Sequence, residues 1–307
     1  MDEFGLIARY FAPLAGDGAF GLTDDAAAIP PRPGHDLIVT TDTIMEGVDF
    51  FAFDPPDSVA KKALRVNLSD LAAKGAEPSQ YLLSLMLPPS TSSAWLEAFS
   101  GGLADDQQQF GLSLLGGDTG RTEGPLTIAV TAFGHVPSGS MIRRSGAKPG
   151  DAVYVTGLIG ASAGGLAIFK RETHALNDTD RDALIARYRV PEPPVSFARD
   201  LRGIASASVD VSDGLIADLG HIAKASGVGI AVEGEAIPLP PALRAWWGDA
   251  AILRAATAGD DYQVAFTGRS GLPGPFTRIG AVMAGEGVRL LRNGTEIAVP
   301  NPGYRHF

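Results

Sequence analysis

Between Asp57 and Val136 the chain switches repeatedly between a helical and a strand-like hydrophobic period, and few architectures accept that alternation. Residues 57–74 carry Ala60, Leu64, Leu68 and Leu71 on one stripe; Asp57 or Ser58 can cap this helix, and Gly75 with Glu77-Pro78 stops it. Gln80–Leu87 reads as a strand, and residues 92–110 as a second helix with Trp95, Phe99 and Leu103 on one side. Leu112–Leu115 reads as a short buried strand ending in Gly-Gly-Asp, and Leu126–Val136 as another strand. Upstream, Phe4, Ile7, Phe11 and Leu14 predict a short amphipathic helix over 2–14. A Gly- and Pro-rich loop with Asp24 and Asp25 follows, and then a strand, Asp36–Thr41, that runs directly into Asp42. Helices and strands in this order predict an α/β fold of the α+β type.

Pro, Gly and Ser cluster with local basic charge at 137–151, which predicts two α/β domains, 1–137 and 138–307. Beyond the cluster, strands are expected at 151–156, 207–211 and 229–232, and helices at 164–170, 179–189 and 215–226. Pro191–Pro194 acts as a breaker, and three short strands fall between 262 and 291. Trp246-Trp247 reads as core or interface.

The charge balance limits the function classes. Lys and Arg number 25 against 35 Asp and Glu, a net charge of −10, and no basic block occurs. This argues against a nucleic-acid or anionic-membrane surface, and leaves phosphate chemistry open only where metal ions supply the positive charge. The chain has no cysteine, which excludes disulfides, thiolate metal sites and a cysteine nucleophile. It opens on an acidic MDEFGLIARYF with no basic n-region, and no stretch approaches eighteen uncharged apolar residues, so a cytoplasmic protein is expected.

The aspartates carry the chemical signal. Asp25 lies in a Gly-rich loop, Asp42 at an expected strand end, Asp70 on a helix and Asp118 after a strand. Asp210 and Asp213 flank Ser212 at the end of the 207–211 strand. Each alone reads as a cap or an Asx turn. Together, at loop and strand-end positions of an α/β sheet, they describe an oxygen-donor set that repels itself without cations and selects Mg²⁺ or Mn²⁺. Asn67, Asp70 and Lys74 share one helix face, which reads equally well as a solvated edge. Gly157–Gly165 follows a strand and opens a helix, so its amides are candidates to hold phosphate, although it is neither a Walker A loop nor a G-x-G-x-x-G fingerprint. Its Gly160-Ala-Ser162-Ala-Gly164 matches the nucleophile-elbow pattern only formally, because no His-bearing loop stands out as a partner. Arg143-Arg144 are candidate phosphate-binding arginines, or an ordinary solvated turn. The five histidines (35, 135, 174, 221, 306) show no metal spacing and receive no role.

Taken in order, DDAA (24–27), TTDTIMEGVDF (40–50), NLSDLAAKGAEP (67–78), GGDT (116–119), RSGAKPGD (144–151), DVSDGL (210–215) and GDDY (259–262) resemble the thiamine-monophosphate kinases of the aminoimidazole-ribotide-synthetase-like superfamily, over nearly the whole chain. The resemblance implies an N-terminal α/β domain that dimerises through its sheet and a C-terminal α/β domain. It implies ATP-dependent conversion of thiamine monophosphate to thiamine diphosphate. Its Mg²⁺ ligands fall on Asp25, Thr40, Thr41, Asp42, Asp70, Asp118, Asp210 and Asp213; its ATP contacts on Gly117, Asp118, Arg144 and Ser212; its substrate contacts on Asp49, Asp260 and Tyr304. Asp42, Asp70 and Arg144 take the catalytic roles. The chain departs from the family where Asp49 replaces the usual His and Asp260 the usual Glu, where Thr23 stands before the first aspartate pair in place of Gly, and where Gly120 follows Thr119 in place of Thr. Two alternatives stand beside this reading. One is a purine-biosynthesis type of ATP-dependent enzyme from the same superfamily; the other is a non-catalytic Mg–nucleotide binding module.

Overall fold

The structure, a computed structural model, describes residues 3–172 and 176–305. The chain forms two compact units: residues up to Leu71 with Ala76–Met141, and Ala72–Gly75 with residues from Ile142 onward.

In the first unit the chain starts with α1 (Glu3–Leu6), which continues as a π-helical turn over Ile7–Phe11 and a 3₁₀ turn over Ala12–Leu14. The single helix expected over 2–14 is therefore broken: Pro13, in the 3₁₀ turn, has no amide to continue the ladder. Asp2 lies outside the described residues. There follow β1 (His35–Met45), α2 (Pro56–Ala73), β2 (Glu77–Leu87), α3 (Ser93–Phe110), β3 (Ser113–Arg121) and β4 (Thr127–Pro137). The sheet order is β1-β4-β2-β3, with β2 and β3 parallel and the other pairs antiparallel. Ser92 caps α3 by accepting the Trp95 amide, and Gly75, at φ +71°, ends α2. Buried Arg65 of α2 grips Asp106 of α3 through Nε and Nη2 at 2.8 and 2.7 Å, so the two helices are tied by a charge pair that neither partner can lose cheaply.

Two strands outrun the sequence signal. β1 keeps its register with β4 from His35 to Met45, and β3 runs through Gly116-Gly117-Asp118 to Arg121 on the β2 ladder. Asp42 and Asp118 thus lie inside strands, not at or beyond their ends. A neighbour's hydrogen bonds extend strands that local propensity would stop. At Gly117 the approach is so close that a Cβ would fall 1.7 Å from the Leu83 carbonyl oxygen, so glycine is demanded there by packing.

The second unit contains β5 (Ala152–Thr156), α4 (Ala161–Phe169), α5 (Asp178–Arg189), α6 (Ala198–Leu201), β6 (Ala205–Val211), α7 (Leu215–Ser226) and β7 (Gly229–Glu233). After these come α8 (Pro241–Trp247), α9 (Ala251–Thr257), β8 (Gln263–Gly268), β9 (Phe276–Met283), β10 (Gly287–Arg292) and β11 (Thr295–Ile297). The sheet order is β11-β10-β7-β9-β5-β8-β6. Side chains alternate between two cores: Val153, Val155 and Ala265 join one, Tyr154, Val264 and Phe266 the other. α8 and α9 have no counterpart among the elements expected from sequence. They bury Leu243, Trp247, Ile252 and Ala255, and the Arg254 guanidinium lies 4.1 Å from the Trp247 ring centre. Lys74 is no solvated edge residue: its Nζ donates to the Ser208 carbonyl oxygen at 2.9 Å. Asn67 is likewise fully buried.

Candidate active site

In the first unit the site residues are distributed by strand alternation. Thr40 and Asp42 share one face of β1, and Thr40 Oγ1 donates to Asp70 Oδ2 of α2 at 2.5 Å. Thr41 points to the opposite face, where its hydroxyl accepts from Thr131 Oγ1 at 3.1 Å. Register places Asp118 opposite Ser84, which lies opposite Ala129, on the same side as Thr131. On that side a cavity of about 610 Å³ is lined by Asp24, Asp25, Ser84, Gly117, Asp118 and Thr131 among others. The loop that brings Asp25 there is held by the Gly16 amide donating to the Leu114 carbonyl at 2.9 Å and the Ala28 amide to that of Gly18 at 2.9 Å. Asp25 and Asp118 therefore come together with Gly117, whereas Thr40, Asp42 and Asp70 do not line this cavity: Thr40 is joined to Asp70 of α2, and Asp42 shares the Thr40 face of β1.

No ion pair among the described residues engages Asp25, Asp70 or Asp118. The donors on both faces are carboxylate and hydroxyl oxygens, a hard set that suits Mg²⁺ and lacks the thiolate and imidazole ligands that favour zinc or copper. Asp49 is held within its own loop, where its Oδ2 accepts the Met45 amide at 2.8 Å and its carbonyl accepts buried Lys62 Nζ at 2.7 Å. Beside it, Phe51 and Phe53 stack 5.0 Å apart and 6° from parallel.

In the second unit, three stretches gather on the loop after β6. Asp260 and Tyr262 donate their amides to the carbonyls of Ser212 and Val211 at 2.8 and 2.7 Å, and the Tyr304 amide donates to that of Asp213 at 2.8 Å. Gly259 and Gly303 permit this, since a Cβ on either would fall 2.2 and 2.6 Å from the carbonyl oxygens of Ser212 and Asp213. Ser212, Asp213, Asp260 and Tyr304 are thus brought together, with Asp210 buried just inside β6. Arg144 is exposed, and its charge helps to lower the pKa of His221, after partial burial of the ring.

Two acids carry no distinguishing mark in the sequence. Asp218, in the first turn of α7, accepts the amides of Ser212, Asp213 and Gly214 at 3.1, 3.1 and 3.0 Å. Burial pushes its carboxyl up to about 7, and the Asp213 charge adds to the rise. With Asp213 and His221 it forms a group whose ligand atoms lie within 4.8 Å of one another. An acid in a helix's first turn is ordinary in sequence, so nothing singled it out. Asp261 accepts the Gly160 amide at 2.7 Å and the Ser162 amide at 3.5 Å, and burial pushes it up to about 8. This corrects the expectation for Gly157–Gly165: amides that open α4 serve a carboxyl of the same unit and are not left for a phosphate. Ser162 is buried on α4, which removes the formal nucleophile pattern from consideration. His174 and His306 lie outside the described residues; His35 and His135 are on β1 and β4.

The chain matches the model of the AIR synthase related protein N-terminal domain over residues 23–136 and that of the C-terminal domain over 148–267. It is 42% identical to thiamine-monophosphate kinase of Salmonella typhimurium over 323 residues, covering 99% of this chain and 98% of that one. The crystal structure of thiamine-monophosphate kinase from Stenotrophomonas maltophilia K279a superposes with a TM-score of 0.85 at 39% identity, over 97% of this chain and 98% of that one. AaThiL complexed with AMPPCP and TMP superposes with a TM-score of 0.82 at 31% identity, over 99% and 97% of the two chains.

Proposed function

The chain belongs to the thiamine-monophosphate kinase family of AIR synthase related proteins, and from that premise we propose that it transfers the γ-phosphoryl group of ATP in line to the phosphate of thiamine monophosphate, with several Mg²⁺ ions and no phosphoenzyme. The observation that carries the proposal is the convergence of Asp24-Asp25 and Asp118, from distant stretches of the chain, on one large cavity without a lysine or arginine paired to Asp25 or Asp118. Such a site holds phosphates only through cations.

Bound Mg²⁺ supplies the charge neutralisation that lets two phosphate-bearing substrates approach. Asp25, Thr41 and Asp118 are assigned as its ligands on the open face of the first sheet, Thr40, Asp42 and Asp70 on the helix-covered face, and Asp210 and Asp213 in the second unit. Asp42 and Asp70 are the catalytically decisive pair, and the Thr40 hydroxyl orients Asp70. The Gly117 backbone, Asp118, Ser212 and Arg144 contact the nucleotide; Arg144 contributes a fixed positive charge that no proton transfer can remove. The acceptor phosphate is already ionised at neutral pH, so no strong general base is required, in keeping with phosphoryl transfer as positioning plus electrostatics. Asp49, Asp260 and Tyr304 contact the thiamine portion. Exposed Leu37 and Val39 on β1 leave an apolar edge uncovered, on which a homodimer is proposed to form.

The test is direct. Purified protein incubated with ATP, MgCl₂ and thiamine monophosphate should yield ADP and thiamine diphosphate in equal amounts by chromatography, and neither product when the magnesium is chelated. ADP without thiamine diphosphate, or no turnover at all, defeats the assignment.

A further inference from the structure

Three hydrogen bonds of the second unit end on one carboxyl oxygen that the catalytic scheme does not use. Asp218, 3% exposed, accepts the amides of Ser212, Asp213 and Gly214 through the same Oδ2 at 3.1, 3.1 and 3.0 Å. It does so from within α7, reaching back to the loop that precedes the helix, whereas an ordinary cap sits before the helix and serves its first amides. The helix is a firm mount, because Leu215, Ile216, Leu219 and Ile222 bury one side of it. Gly214 is joined to Asp218 in both directions: its carbonyl accepts the Asp218 amide at 2.9 Å, and its own amide donates to the Asp218 carboxyl. The φ of +132° that this geometry needs at Gly214 is one that glycine alone adopts readily.

The opposite side of the same backbone is taken as well. The carbonyls of Val211, Ser212 and Asp213 accept the amides of Tyr262, Asp260 and Tyr304 at 2.7, 2.8 and 2.8 Å. Three successive amides at a strand-to-helix turn are the ordinary material of a phosphate cradle, but here an acidic side chain of the same unit occupies them. With its amides spent on Asp218 and its carbonyls on those partners, the loop meets a ligand through the side chains of Ser212 and Asp213. The directions in which those two side chains project are then set by the backbone that Asp218 holds. We infer that Asp218 is a positioning residue for the reaction: it locks the 212–214 loop so that Ser212 meets the nucleotide and Asp213 a cation, and it acts only through them. The inference rests on the kinase assignment above.

Asp218→Ala and Asp218→Asn separate positioning from plain stabilisation. Asparagine keeps a carbonyl oxygen for the three amides, and alanine leaves them without an acceptor. In Asp218→Ala the KM for ATP and the Mg²⁺ concentration at half-maximal rate should each rise about tenfold, the worth of one well-placed hydrogen bond. Binding of AMPPCP, measured by calorimetry without thiamine monophosphate, should weaken by the same factor. Asp218→Asn should return all three to near their wild-type values. A residue that merely stabilised the start of α7 would lower the melting temperature and the active fraction, hence kcat, and leave the KM for ATP and the AMPPCP affinity in place. Should Asp218→Ala not fold, Asp218→Glu displaces the acceptor by one methylene and carries the same expectation. A wild-type KM and AMPPCP affinity in Asp218→Ala or Asp218→Glu, or no recovery in Asp218→Asn, overturns the positioning role while the kinase assignment stands. A wild type that does not convert thiamine monophosphate removes both.

Discussion

The two sheets of this protein handle polar side chains in opposite ways. In the first, β4 alternates half-buried and buried residues from Thr127 to Val136, so one face of the sheet stays accessible. In the second, β5 and β8 are buried at every position, with separate apolar cores on their two faces. The accessible face tolerates Thr41, Thr131 and Asp118 within strands. The doubly covered sheet pushes most of its candidate residues, Ser212, Asp213 and Asp260, onto loops beyond strand ends, and admits Asp210 only next to such an end. An accessible face thus admits a carboxylate such as Asp118 inside a strand, and half-buried Asp42 shows that the helix-covered face of the same sheet admits one as well.

The contrast is tested most severely by making one substitution in both sheets. Val209→Asp in β6, at a position 1% exposed, should abolish soluble folded protein, because the buried charge costs at least about 4 kcal/mol. Val39→Asp in β1, at a position 54% exposed, should leave the far-UV circular dichroism intact and, on the proposal that β1 carries a dimer contact, lower the sedimenting mass from that of a dimer to that of a monomer. A folded Val209→Asp protein, or a Val39→Asp protein that still sediments as a dimer, contradicts the reading of that sheet. Next in size, Asp70→Asn keeps the Thr40 contact sterically but removes a charge; turnover at saturating Mg²⁺ should drop roughly a hundredfold with the melting temperature within a few degrees of wild type. Turnover near the wild-type level would move the decisive carboxylates elsewhere.

The smallest effect belongs to the second unit. Burial raises Asp261 from an ordinary 3.8 to about 8, so between those values the folded state holds a proton that the unfolded chain has released. Stability from this group is complete below about pH 4 and declines as pH rises through about 8. Asp261→Asn should reduce the slope of that part of the melting temperature–pH curve, where Asp218 acts in the same direction, while leaving its acid limb; an unchanged slope between pH 4 and 8 would show the carboxyl ionised throughout.

Much of the helical framework is legible in local sequence signals. Stripes such as Ala60, Leu64, Leu68 and Leu71, the Ser92 cap and the Gly75 stop act within a few residues, and the helices form where those signals lie. The span over 234–257 is not legible, because α8 and α9 are short and their apolar residues answer to a core assembled from distant strands. The lengths of β1 and β3 are equally hidden, since a partner's ladder carries both past weak strand formers. Asp261 reads in sequence as a mere neighbour of Asp260, and the turn between them gives each its own partners.

Composition and local pattern establish which groups are available: oxygen donors in quantity, no thiol, little positive charge, and the helices and turns that carry them. Which of those donors meet is a property of the folded arrangement alone. Thr40 and Thr41 are adjacent in the chain and face opposite sides of a sheet, whereas Asp25 and Asp118, far apart in the chain, line the same cavity. Periodicity reports which face a residue shares within its own strand. Register and loop closure, which no local pattern encodes, place it beside the others.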